Sequence, residues 1–487
     1  MSRSRTRSLS IEALYHPIPQ GPETVPLDQD QPEDVESTQP LRTPSTDSVV
    51  DTKIQWIFFI LGCSVLLPWN VVITAMPYFS ERLAGSGIQH TFASYLSTAC
   101  TASNFGFLAH ATVTSKRTSP SQRTRLGIYC LIVLTFFFVV STYFTLPPGL
   151  FFVFILFNGA AQNAAGAYLQ TAIIAVASLY GPAPVQAMMA GQAAVAVAVS
   201  GVQVVSAAAS TWGKAGTFVS DGSAEERAAF IFFTLSTLFL VTSAGTHTWL
   251  VNMPSYKAVA APLEQHAAKS HHGTLDDITP QPLASRGRSE ASDDRQQVIR
   301  IAKANMMYEV AVAYVFLITL AVFPPITTSV MPVNPGTHPL LFTSIHFLVF
   351  NSGDLLGRYI CSFPVFHVWS RKRLLGMSLA RTLFIPLFLM CNVQRPSLAM
   401  TTTPIINSDF MFMLIMLLFG LSNGYVSSSC MMSAPSLEHN PRLKGRVEDV
   451  DVAATVASFF LVGGLVLGSV TSFAVKSVIC QCNPFKA

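Results

Sequence analysis

In the stretch FLVFNSGDLLGRYICSFPVF (Phe347 to Phe366) an acid, Asp354, and a base, Arg358, stand inside an otherwise apolar run. Four residues apart, they project from one face of a helix, one turn from each other. Asn351 precedes Asp354 by three residues and shares that face. A lone charge at mid-bilayer costs at least ~2.5–3.5 kcal/mol on insertion scales. Mutual pairing lessens that cost, yet two leucines would remove it altogether. The polar face therefore either lines a cavity or bolts helices together, and intramembrane ionisable groups usually mark a pathway.

A second constellation is LLPWNVVITAMPYF (Leu66 to Phe79). Pro68 has no N–H and crowds the preceding turn, so a kink that frees the carbonyl near Ser64 is expected. Trp69 and Asn70 sit beside it, too deep for an interfacial anchor. A buried indole offers a flat face to an aromatic ligand and one N–H donor, or else simply packs in the core. The stretch FNGAAQNAAGAYLQTAIIAVASLYG carries Asn158, Gln162, Asn163, Gly166 and Gln170. Asn163, Gly166 and Gln170 share one helical face. Amides donate and accept together, which suits a neutral polar ligand such as a nucleobase. In AMMAGQAAVAVAVSG the small residues let helices approach closely, and Gly191 reads as packing. FGLSNGYVSSSCMM adds Ser422, Asn423 and Tyr425 as further candidates for lining the site, along with Ser427 to Ser429, and Pro435 ends the segment.

These groups need helices that hold them inside a membrane. Half of the 487 residues are hydrophobic and only 11% are charged, against about 25% charged in an ordinary soluble domain. Apolar segments of about 20 residues recur, the length a helix needs to cross the hydrocarbon core. A transmembrane barrel would show ~10-residue alternating segments instead. The chain thus reads as an all-α polytopic membrane protein. Eleven spans are expected, at 54–79, 91–114, 125–146, 148–178, 184–208, 227–251, 305–330, 339–364, 374–392, 408–434 and 449–478.

Cations test that count. Lys116, Arg117, Arg123 and Arg125, then Arg371 to Arg373, then Arg442, Lys444 and Arg446 all fall in loops on one side. The other side holds only scattered cations such as Arg82, Lys214 and Arg395. The positive-inside rule then puts the N-terminus in the cytoplasm and the C-terminus outside or in a lumen. Residues 1–53 are polar and rich in Ser, Pro, Asp and Glu, and are expected to form a disordered cytoplasmic tail, with the first span an uncleaved anchor. Residues 252–304 are expected to be a disordered cytoplasmic linker between a six-helix half (54–251) and a five-helix half (305–487). Within it, RGRSEASDD offers Ser289 and Ser292 to phosphorylation, although a plain solvated linker is the simpler reading.

Other chemistries find little support. The eight cysteines are scattered without C-x-x-C spacing, so no zinc site or disulfide framework is expected. Cys480 and Cys482 are the sole close pair. Phosphate-cradling glycine loops, H-E-x-x-H and G-x-S-x-G are absent. Asp409, Asp449 and Asp451 sit at span edges, which leaves Asp354 without a partner for an aspartyl dyad. No enzyme, cofactor or polymeric nucleic acid is implied.

Taken together, these motifs resemble the equilibrative nucleoside transporter family. LLPWNVVITAMPYF looks like its helix 1 signature and FNSGDLLGRYI its helix 8 pattern. LSNGYVSSSCMMSAP looks like its helix 10 stretch, and AMMAGQAA the start of its helix 5. Leu355 and Thr171 depart from the usual family residues, an aromatic and a small residue. The resemblance implies a major-facilitator-like fold with 6+5 helices that works as a monomer on nucleosides, and on nucleobases as a wider possibility. By that resemblance Asp354 and Arg358 contact the ribose hydroxyls, Asn351 supports them, Gln170 bonds the base and Trp69 walls the base pocket. Alternating access of two halves around this centre is expected, with flow down the substrate gradient. Proton coupling through Asp354 stays open, as does another neutral solute such as a sugar. A receptor or scaffold in which the Asp–Arg pair is a bolt is the reading from a different class. YHPI (Tyr15 to Ile18) fits a Tyr-x-x-apolar sorting signal, and no Asn-x-Ser/Thr acceptor occurs. Both favour an internal, vacuole-like membrane over the plasma membrane.

Overall fold

The structure is a computed structural model; it describes residues 52–89, 92–116, 118–212, 223–272, 283–334, 336–393 and 404–480. The expected tail up to residue 51, the YHPI motif, Lys214, Arg395 and Cys482 lie outside the described residues, and Thr52 and Lys53 already belong to the first helix. In hydrocarbon a peptide group has no partner but another peptide group, so apolar stretches of this length fold as helices. They form α1 (Thr52–Thr74), α2 (Met76–Arg82), α3 (Phe92–Val113), α4 (Pro120–Ser141), α5 (Pro148–Leu179), α6 (Pro182–Trp212) and α7 (Ser223–Asn252). After these come α8 (Pro254–His272), α9 (Leu283–Val322), α10 (Pro339–Ile360), α11 (Arg371–Ala380), α12 (Phe384–Leu389), α13 (Asp409–Ser433) and α14 (Val450–Cys480).

Helical segments stand at each of the eleven expected places. Among the described residues, nine are long and apolar enough to cross a membrane. The other two places are α3, diluted by Ser, Thr, Asn and His, and the stretch 371–389, which is broken into two helices around a 3₁₀ turn at Arg381–Leu383. Pro386 accounts for that break, since it donates no hydrogen bond to the turn before it. Helix starts are written locally. Ser119 Oγ accepts from the Gln122 N–H at 3.3 Å and Ser408 Oγ from the Met411 N–H at 3.4 Å. Pro120, Pro148 and Pro339 occupy first-turn positions where a missing N–H costs nothing. The helix of α1 continues through Pro68, and Asn70 Nδ2 donates back to the Leu66 carbonyl at 2.9 Å.

Two sets of helices pack among themselves. In the first, α1 lies on α6 and α7, α3 on α5, and α4 on α5 and α7; in the second, α9 lies on α14 and α11, and α10 on α13. The sets meet where α10 crosses α6 and where α14 crosses α5 and α3. Two crossings depend on glycine. A Cβ on Gly191 of α6 would sit 2.1 Å from the Phe59 carbonyl oxygen of α1, and one on Gly424 of α13 would sit 1.9 Å from the Asp354 carbonyl oxygen of α10. Backbones this close admit no side chain.

The cation-rich loops gather at one end of the bundle. There Lys116 Nζ donates to the Glu448 carbonyl at 2.8 Å, and Arg300 grips Asp449 with two bonds of 2.9 and 2.8 Å. The Trp369 ring stacks on His439, and the Tyr308 hydroxyl donates to the Trp369 carbonyl. The segment expected to be a disordered linker is helical over much of its described length, as α8 and the first turns of α9. Its composition hides the reason. Tyr256 and Ala260 of α8 are buried against the first helix set. Glu264 accepts from Tyr256 Oη and from the Ser121 N–H at the start of α4.

Candidate functional site

A cavity of about 660 Å³ lies between the two helix sets, within the usual range for a small-molecule site. Its wall includes Trp69 and Asn70 from α1, and Asn163, Gly166 and Gln170 from α5. From the second set come Asn351, Asp354 and Arg358 of α10 and Asn423 of α13. Lining positions on α1, α9 and α14 run from the helix middles toward the end opposite the cation-rich loops, so the cavity reaches that way.

The charged wall is built from α10 outward. Asp354 is 7% exposed and Arg358 5%. Arg358 Nε donates to Asp354 Oδ2 at 2.9 Å, and its Nη1 donates across to the Met189 carbonyl of α6 at 3.0 Å. Asn423 Nδ2 donates to Asp354 Oδ1 at 2.6 Å. Each carboxylate oxygen thus keeps unused acceptor capacity beside the cavity. Asn351 Nδ2 reaches Ser200 Oγ at 3.2 Å and the Ala196 carbonyl at 3.4 Å, both on α6. Gln186 Nε2 in turn donates to the Arg358 carbonyl at 2.9 Å.

The facing wall is neutral. Trp69 and Asn70 are half-buried beside Pro68, which also lines the cavity. Asn163 Nδ2 bonds the Gly159 carbonyl of its own helix. Gln170 Nε2 donates to Ser458 Oγ of α14 at 2.7 Å, a bond between the two helix sets. Asn158 turns away to the Leu134 carbonyl of α4.

Two residues expected at the site are elsewhere. Ser422 accepts a bond from Arg381, and the Tyr425 hydroxyl donates to the Phe366 carbonyl near the cation-rich end; neither lines the cavity. Successive residues of a helix point about 100° apart, so Asn423 facing α10 turns its neighbours aside. Ser427 bonds the Gly424 carbonyl inside the packed α13.

Arg381 escaped the reading of the sequence. It is 1% exposed, on the 3₁₀ turn between α11 and α12, and its guanidinium lies 4.5 Å from the centre of the Phe419 ring. The signal was a cation at the centre of the expected span 374–392. Thr319 of α9, which lines the cavity, donates to Asn423 Oδ1 at 2.7 Å and also went unremarked. Among the described residues no group of His, Cys, Asp and Glu is placed to hold a metal ion.

A multi-helix membrane bundle with a central, largely apolar cavity that a few polar groups enter from two helix sets is the build of a solute carrier. A family model described as nucleoside transporter matches residues 156–477. The chain belongs to the nucleoside transporter family, a family of transporters rather than enzymes. It is 26% identical to "Equilibrative nucleoside transporter 1" of Rattus norvegicus, over 88% of this chain and 98% of that one. It is 29% identical to "Equilibrative nucleoside transporter 2" of Homo sapiens, over 87% and 96%. "Nucleoside transporter FUN26" of Saccharomyces cerevisiae is 24% identical, over 91% and 88%. Among solved structures, the major facilitator transporter FucP in its outward conformation aligns with a TM-score of 0.48 and 14% identity, over 88% of this chain and 94% of that one.

Proposed function

We propose that this chain carries nucleosides across a membrane by alternating access, down the substrate gradient, with the cavity between the helix sets as its binding site. The observation that supports this most is Asp354, held by Arg358 and Asn423 so that acceptor capacity remains beside a cavity whose other wall holds an indole and amides. Two adjacent ribose hydroxyls need two acceptors close together, and a carboxylate provides them. Trp69 covers the base face. Gln170 reads the base edge once its bond to Ser458 opens, and Asn351 braces α10 against α6.

In this reading the chain has eleven spans in halves of six (54–251) and five (305–487), with a cytoplasmic N-terminus and an outer or lumenal C-terminus. The cation-rich end then faces the cytoplasm, and the cavity reaches the other side. One chain is the working unit. The absence of Asn-x-Ser/Thr acceptors and the YHPI motif favour a vacuole-like membrane.

Flux of radiolabelled uridine and adenosine into proteoliposomes, at matched and at unmatched pH, tests the reading. Saturable uptake blocked by excess adenosine and untouched by excess glucose is expected. Glucose blocking as well as adenosine does would sink the nucleoside assignment, and uptake that requires an inward proton gradient would replace facilitation by coupling. Imaging of the tagged full chain checks the membrane, with a plasma-membrane rim as the contrary result.

A further inference from the structure

Arg381 touches no part of the cavity, yet its bonds end on the groups that hold Asp354. A guanidinium can only donate, and all its resolved partners are acceptors: the Phe419 carbonyl at 3.0 Å, Ser422 Oγ, Thr319 Oγ1 at 2.8 Å and Asn423 Oδ1 at 3.4 Å. Thr319 Oγ1 also donates to the same Asn423 oxygen. The side-chain amide of Asn423 is thereby fixed end for end. Its oxygen faces the arginine and the threonine, and its NH₂ faces Asp354. Rotated by half a turn, the amide would set its oxygen against a carboxylate oxygen and its NH₂ against the donor-only Arg381 guanidinium, while the Thr319 hydroxyl could turn its proton to the Val315 carbonyl at 2.7 Å.

We propose that Arg381 is a positioning residue for substrate selection: acting through the Asn423 amide, it holds the Asp354 carboxylate in the orientation that accepts two adjacent hydroxyls of the ligand. The geometry explains why a charge is kept in the dry core of the second helix set. Arg381 also brings a second positive group to a cluster whose single acid is Asp354, and it does so from a turn rather than a helix. Pro386 interrupts the regular helix there, so the long side chain lies flat over the Phe419 ring of α13. Gly420 and Gly424 let α13 press against α10 on either side of Asn423. The distance from Arg381 to Asp354 is thus spanned by a single amide.

The inference rests on the reading of Asp354 as the ribose acceptor, and the test separates the two. Uridine and adenosine are each measured beside the 2′,3′-dideoxy counterpart in proteoliposomes, for wild type and Arg381→Met, which keeps the stem over Phe419 and removes every donor. In wild type the dideoxy compounds should show the higher KM; equal values would overturn the ribose reading itself and this inference with it. In Arg381→Met the KM of the ribonucleosides should rise about tenfold, with the KM of the dideoxy compounds and the maximal rates near wild type. A preserved ratio with a lowered maximal rate would mean that Arg381 only supports the fold, and would overturn the proposal. Asn423→Leu should give the same selective rise, and the double variant should be no worse than Asn423→Leu, because both act along one path. Additive losses would overturn that path. If Arg381→Met fails to reach the membrane fraction, Arg381→Lys takes its place: it keeps the charge but lacks the fork. A smaller rise in the same ratio is expected, and an unchanged ratio counts against the proposal.

Discussion

The two walls of the cavity are built on different principles. The wall from α1 and α5 is neutral: an indole, a proline and four amides, some of them bonded within their own helix. The wall from α10 and α13 is ionic, with one carboxylate held by Arg358 directly and by Arg381 through Asn423. A neutral wall tolerates movement, because a half-buried amide can exchange a protein partner for a ligand at little cost. An ionic wall does not, because a buried charge that loses its partner is expensive. On the proposed reading, the second helix set carries a pre-formed half-site and the first set brings the groups that close upon it.

The largest expected effect breaks the ionic wall. Asp354→Leu leaves Arg358 without its acid, a loss of about 3–5 kcal/mol for a broken buried pair. Uptake should fall more than about a hundredfold, and the melting temperature of the purified protein should drop. The double variant Asp354→Leu/Arg358→Leu sharpens the contrast, since it should recover much of the stability and none of the uptake. Recovered uptake would make the pair a bolt and not a site.

Next comes a pair of glycine substitutions, one in each helix set. Gly424→Ala forces α13 away from the Asp354 carbonyl, and Gly191→Ala forces α6 away from that of Phe59. Both should lower thermal stability, but Gly424→Ala should also raise the KM for uridine several-fold. The KM of whatever Gly191→Ala protein folds should stay near wild type. Gln170→Ala, on the neutral wall, removes one uncharged bond worth about 0.5–1.5 kcal/mol. A two- to tenfold rise in KM that differs between uridine and adenosine is expected. The smallest effect belongs to Tyr425→Phe. It loses the bond to the Phe366 carbonyl, away from the cavity, and uptake should stay within about twofold of wild type.

What the sequence made legible follows the same division. The stripe of Asn351, Asp354 and Arg358 could be read because three polar residues at helical spacing in an apolar helix have only one face to share. Trp69 and Gln170 stood out for the same reason. On α13 the reading failed for Ser422 and Tyr425, since that helix is buried nearly all round and its pattern does not say which face meets the cavity. Arg381 was hidden by distance. Its partners Thr319, Phe419 and Asn423 lie 38 to 62 positions away, and no local spacing announces such a contact. α8 was hidden by composition, because a polar helix that buries little more than Tyr256 and Ala260 looks like a linker residue by residue.

Many of the ties between the helix sets end on main-chain oxygen. Arg358 donates to the Met189 carbonyl, Asn351 to that of Ala196, Gln186 to that of Arg358 and Lys116 to that of Glu448. A carbonyl outlives any substitution at its own position, so the accepting residue is free to drift over evolutionary time while the contact persists. A mutational scan across Met189, Ala196 and Glu448 would accordingly look silent for these bonds, and only the donor side would register.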